Sequence, residues 1–148
     1  ERKFSPTLLL EFTQVRLAIE PMAASMAARL ATDEAKAAIV AALGRMKAAE
    51  RGEDDPLESD IAFHVAILRA SGNRFLTQMR DLIDVALRTS IRLTNRRKGV
   101  RLASIADHQK VSDAILAGDA DGASRAMRAL MLEALVLIEQ EAAAAGPG

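Results

Sequence analysis

Apolar residues recur at helical spacing along almost the whole of this chain, and each run is bounded by a capping residue, a proline or a glycine. A stripe with a period of about 3.6 residues is buried by a helix, whereas a half-buried strand needs strict alternation. No segment shows that alternation or the β-branched density of strands, and no repeat of roughly 20 to 50 residues is visible. The 148 residues suffice for one domain with a substantial core. The expected fold is therefore all-α, a bundle of about six helices.

Local signals place those helices. The first is expected from about Leu8 to Ala31, with Leu9, Phe12, Leu17, Ile19, Met22, Met26 and Leu30 on its apolar face and a kink or break near Glu20, where Pro21 removes a backbone donor. Thr32 reads as the N-cap of a second helix, reaching about Ala49 and burying Ile39, Val40, Leu43 and Met46. Asp55-Pro56-Leu57-Glu58 is a start signal for the third, with Glu58 positioned to reach back in a capping box, and Gly72 ends it. Asn73 caps a fourth helix with a buried stripe from Phe75 and Met79 to Ile91, closed by Arg96-Arg97-Lys98-Gly99. A fifth spans about Leu102 to Ala117 and stops at Gly118, and Asp119 caps a sixth running to about Ala144.

Composition narrows the function. Lys plus Arg balance Asp plus Glu at 20 each, so no electrostatic signature of nucleic-acid or anionic-membrane binding is present. Tyr and Trp are absent and Phe occurs four times, which nearly removes stacking platforms for bases. The lack of cysteine excludes disulfides, thiolate metal sites and cysteine nucleophiles, and fits a cytoplasmic protein. No apolar run approaches the roughly 18 residues needed to span a bilayer, so no membrane partner is expected.

The residues that carry chemistry centre on Asp60-Ile61-Ala62-Phe63-His64. Asp60 and His64 stand four residues apart and share a helix face, where a carboxylate and an imidazole can offer two ligands to one divalent metal. His108, the other histidine, falls on a later helix and completes a three-ligand set. Zn or Ni suit such donors best, with Mn or Fe acceptable. The alternative is that both histidines are hydrogen-bonded core or pocket residues with Asp60 as an acceptor and no metal at all.

These residues resemble a known family in order and spacing. Arg16-Leu-Ala-Ile-Glu20, the alanine-rich stretch from Ala23 to Ala31 and Thr32-Asp-Glu34 look like the opening of the FCD domain, the C-terminal effector-binding and dimerisation domain of FadR-type GntR transcription regulators. Asp60-Ile-Ala-Phe-His64 with Ala70-Ser-Gly-Asn73 resembles its central signature. His108, Ala114-Ile-Leu-Ala-Gly-Asp119 and Ala126-Met-Arg128 resemble its closing pattern. The resemblance covers roughly residues 8 to 140 and implies an antiparallel helical bundle around a small-molecule pocket, often with a metal at its base. Its metal ligands correspond to Asp60, His64 and His108. The fourth, a histidine about six turns after the third, corresponds to Leu130, which cannot donate to a metal; Glu133, one turn on, is the nearest substitute.

The resemblance implies a homodimeric sensor of a small organic acid, acting on DNA through a winged-helix domain that this chain is expected to lack. Arg16 is the expected carboxylate clamp, with a structural ion pair to Glu20 as its alternative, and Arg88 and Asn95 are further candidates for the pocket wall. Two other readings remain open: a structural dimerisation bundle with a degenerate metal-free pocket, and a small metal-dependent hydrolase. Against the hydrolase, no H-E-x-x-H, no E-x-x-H pair and no phosphate-binding glycine loop occurs, so no enzymatic activity is expected.

Overall fold

The structure, a computed structural model, describes residues 4–94 and 104–145. Among these residues there are seven helices and no strand: α1 (Pro6–Leu30), α2 (Asp33–Glu50), α3 (Pro56–Ala70), α4 (Arg74–Gln78), α5 (Arg80–Thr94), α6 (Ile105–Leu116) and α7 (Ala120–Ala145). Helix α1 runs along α7, α2 packs on α3, and α6 lies against α7, α2 and α1. None of these helices is long and apolar enough to cross a membrane.

Most boundaries arise from the local chemistry anticipated for them. The Thr32 hydroxyl accepts from the Ala35 amide at 3.1 Å, and the Asp55 carboxylate accepts from the amides of Leu57 and Glu58 at 2.9 and 3.2 Å. Asn73 does the same for Phe75 and Leu76. Gly72 and Gly118 end their helices at φ of +71° and +72°, a conformation that a Cβ disfavours.

Four expectations are corrected. Helix α1 is not broken at Pro21 but runs on to Leu30, packed along α7, although proline supplies no amide donor. The expected apolar face of α1 holds in part: Leu9 is buried and Phe12, Leu17, Ile19 and Met26 pack against the core, but Met22 and Leu30 are exposed, and the fully buried positions include Thr13, Arg16, Glu20, Ala24 and Ala27. The fourth expected helix is two, α4 and α5, meeting at Met79, whose amide bonds to Leu76 in a tighter turn. That turn directs Leu76 into the core and leaves Phe75 81% exposed, and on α2 Val40 likewise faces outward. Finally, Glu58 does not close a capping box; its carboxylate pairs with Arg88 at 2.6 Å. The expected start of the fifth helix at Leu102, the basic run Arg96-Arg97-Lys98 and Asn95 lie outside the described residues.

The main core joins Ala23, Ala24, Ala27 and Ala28 of α1 to Ile39 and Leu43 of α2, Phe63, Ile67 and Leu68 of α3, Val111 and Ile115 of α6, and Met127 and Met131 of α7. Alanine on α1 lets helix axes approach closely, and the larger side chains fill the remaining space. Burying each large one contributes about 1.5–3 kcal/mol. The polar turns of α1 are thereby carried into the middle of the bundle, opposite α3 and α6.

Candidate functional site

Five charged or ionisable side chains meet there, each almost fully buried: Arg16 and Glu20 from α1, Asp60 and His64 from α3, and His108 from α6. The Arg16–Glu20 and Asp60–His64 pairs each span one helical turn, so each helix presents two polar groups on one face. The three rings pack together, with Phe63 edge-to-face to His108 at 4.9 Å and to His64 at 5.7 Å between centroids, and the two imidazoles edge-to-face to each other at 5.6 Å.

The hydrogen bonds form a chain. Arg16 Nε donates to Glu20 Oε2 at 2.6 Å, and the other oxygen of Glu20 bonds to His64 Nδ1. His64 Nε2 and His108 Nε2 each lie 3.2 Å from the same atom, Asp60 Oδ1. His108 Nδ1 donates to the Ser104 carbonyl at 2.9 Å. Burial would raise the Glu20 carboxyl, but Arg16 and His64 outweigh it and hold it at about 2 against an ordinary 4.5. Burial also opposes the charged form of His64, yet Glu20 and Asp60 raise it to about 9. Asp60, despite its own burial, is kept well below the carboxylate range by the two histidines.

A divalent metal fits this donor set. Asp60, His64 and His108 offer ligand atoms all within 4.8 Å of one another. Both Nδ1 atoms are engaged with acceptors, a carboxylate for His64 and a carbonyl for His108, which leaves both Nε2 atoms facing Asp60. In metal-free protein the raised His64 value means that this ring donates from both nitrogens, and a divalent cation held by Asp60, His64 and His108 would take the place of the Nε2 proton. Leu130 is buried at the wall of this site and supplies no ligand; Glu133 is exposed and lies outside the three-residue cluster.

A cavity of about 550 Å³ adjoins the cluster, with Arg16, Asp60 and His64 in its wall together with residues of α5 and α7. Among the described residues Arg16 bonds only through Nε, so neither Nη is committed to a protein acceptor. The structure thus brings together Arg16, Asp60, His64 and His108. Arg88 is elsewhere: it pairs with Glu58 at 2.6 Å and Asp84 at 3.0 Å and is not among the cavity-lining residues. Sequence reasoning considered Glu20 only as a partner for Arg16 and missed its bond to His64. The inward polar residues Thr13, Arg16 and Glu20, one per turn, were the available signal.

Fold and site together define an all-α bundle with a buried polar cluster in the wall of a cavity that opens to the surface. A family model of the FCD domain matches residues 11–133, and the chain belongs to that family. It is 38% identical over 131 residues to a protein of Escherichia coli (strain K12) provisionally named as the L-lactate dehydrogenase operon regulatory protein, covering 84% of this chain and 49% of that one. It is also similar to the HTH-type transcriptional repressor GlaR (32% over 143 residues, 89% and 64% covered) and to the galactonate operon transcriptional repressor (30% over 127 residues, 85% and 56% covered) of the same organism. Among solved structures, Streptococcus agalactiae GntR shares the fold with a TM-score of 0.72 at 20% identity, covering 88% of this chain and 58% of that one. The chain spans between about half and just under two thirds of the length of these relatives.

Proposed function

We propose that this chain is the effector-binding and dimerisation domain of a GntR-type transcription regulator, sensing a small carboxylate metabolite and modulating DNA binding by a winged-helix domain joined to it. The observation that carries the reading is the buried Arg16 in the wall of the same cavity as Asp60 and His64. A guanidinium with two uncommitted Nη groups binds a carboxylate through parallel hydrogen bonds, and its desolvated setting strengthens them. Relatives named for L-lactate and galactonate operons support an organic acid as the ligand class. To act as a switch, the effector has to bind one dimer arrangement more tightly than the other, since equal affinity shifts nothing.

Asp60, His64 and His108 would hold a divalent metal, Zn or Ni by ligand type, and bound there it supplies Lewis acidity toward an effector oxygen. Glu20 and the Ser104 carbonyl orient the two rings for that task whether or not an effector is bound. A second reading, a dimerisation bundle with a metal-free pocket, draws on one observation, the apolar Leu130 at the position of the family's fourth ligand.

Metal content per chain of tag-free protein, measured beside a His64→Ala/His108→Ala variant, separates the two. The sensor reading with metal expects near-stoichiometric metal in the parent and its loss in the variant. Folded, metal-free parent protein that still binds a carboxylate through Arg16 retains the sensor without the metal. Absence of both favours the structural bundle.

A further inference from the structure

The cavity beside Arg16 is chemically two-ended. Its buried polar groups are Arg16, Asp60 and His64, all from α1 and α3. The facing wall, from α5 and α7, is apolar: Leu87, Leu130, Met131 and Ile138 are buried and Leu137 is half-buried. The other polar lining residues do not alter this division. Ser104, Glu133 and Gln140 are exposed at the rim, and Ser90, half-buried, is already engaged in an interaction.

From this division we infer that the ligand is a monocarboxylate with an apolar body, its acid group at Arg16 and its carbon skeleton against α7, and that Leu130 is the residue that sets this preference. The inference rests on the carboxylate-sensing reading above and narrows it. A cavity of about 550 Å³ is within the range of small-molecule sites and accommodates a body of several carbons beyond the acid group. A polyhydroxylated acid of the same length would press hydroxyls against Leu130, Met131 and Ile138, and, among the described residues, these apolar side chains offer no partner, so each unpaired hydroxyl weakens binding. Leu130 is singled out because it is buried in the same cavity wall as Met131 and Ile138 and lines the cavity together with Arg16, Asp60 and His64. A polar side chain there would bring a hydrogen-bonding group into that wall, whereas leucine keeps it apolar.

The test is isothermal titration of the 148-residue chain with hexanoate and with gluconate, two six-carbon monocarboxylates that differ in hydroxylation. Each is run on chelator-treated protein and on protein carrying one equivalent of zinc, for the parent chain, Arg16→Lys and Leu130→Asn. Hexanoate should bind roughly 100-fold tighter than gluconate, Arg16→Lys should weaken whichever acid binds, and Leu130→Asn should narrow the gap by roughly tenfold. Gluconate binding as tightly as hexanoate and losing affinity in Arg16→Lys overturns the inference and leaves the carboxylate-sensing reading standing. A gap unchanged by Leu130→Asn overturns the role of Leu130. If neither acid binds, or neither responds to Arg16→Lys, both readings fall together. Far-UV circular dichroism verifies that each variant is folded, and Leu130→Ala replaces Leu130→Asn if the amide is not tolerated.

Discussion

Replacing Glu20 by glutamine should cost about 3 kcal/mol of stability in metal-free protein. The substitution keeps the shape of the side chain and removes its charge, so a buried Arg16 loses its counterion and His64 loses the carboxylate at Nδ1. Lowering the Glu20 carboxyl from 4.5 to about 2 in a fully buried group corresponds to about 3 kcal/mol. Removing one partner of a buried ion pair independently costs about 3–5 kcal/mol. The raised His64 value reports the same contact from its other side and is not added. The chain has no Trp or Tyr, so unfolding is best followed by helical circular dichroism in urea with a chelator present. With a urea slope of about 2 kcal/mol/M, the midpoint should fall by about 1.5 M. The pH dependence follows from the direction of the shift. A depressed carboxyl contributes stability that is complete above its unfolded value of 4.5 and is lost as pH falls toward about 2, so parent and variant should converge over that window. A midpoint shift below about 0.5 M, or curves that stay parallel down to low pH, would refute the reasoning.

Two further outcomes test the packing. Phe63→Ala should destabilise by about 3–5 kcal/mol and loosen both histidines, whereas Phe75→Ala, at a site 81% exposed, should change stability by less than about 0.5 kcal/mol; thermal melts of the pair read this contrast. Gly118→Ala places a Cβ on a residue at φ +72°, and a loss of about 1–2 kcal/mol in urea melts is expected, although the nearest atom, the Ala28 carbonyl oxygen at 3.7 Å, leaves room for the methyl group.

What the sequence determined by itself was local. Helix starts at Thr32, Asp55, Asn73 and Asp119, and the stops at Gly72 and Gly118, depend on a side-chain acceptor or a positive φ within a few residues, which is why they could be read without tertiary information. The Asp60–His64 pair was legible for the same reason, since one helical turn fixes their common face. The rest was decided by packing. Which residues of α1 are most deeply buried depends on what α3, α6 and α7 present to it, and the burial of Arg16 and Glu20 beside the apolar residues makes sense only once His64 is there to receive Glu20. The break at Met79 and the exposure of Phe75 likewise reflect the room left for Leu76 in the core. The convergence of His108 on Asp60 across 48 residues, and the apolar α7 wall that faces Arg16, are relations between helices. A periodic pattern states that a helix has two faces; only its neighbours decide what each face meets.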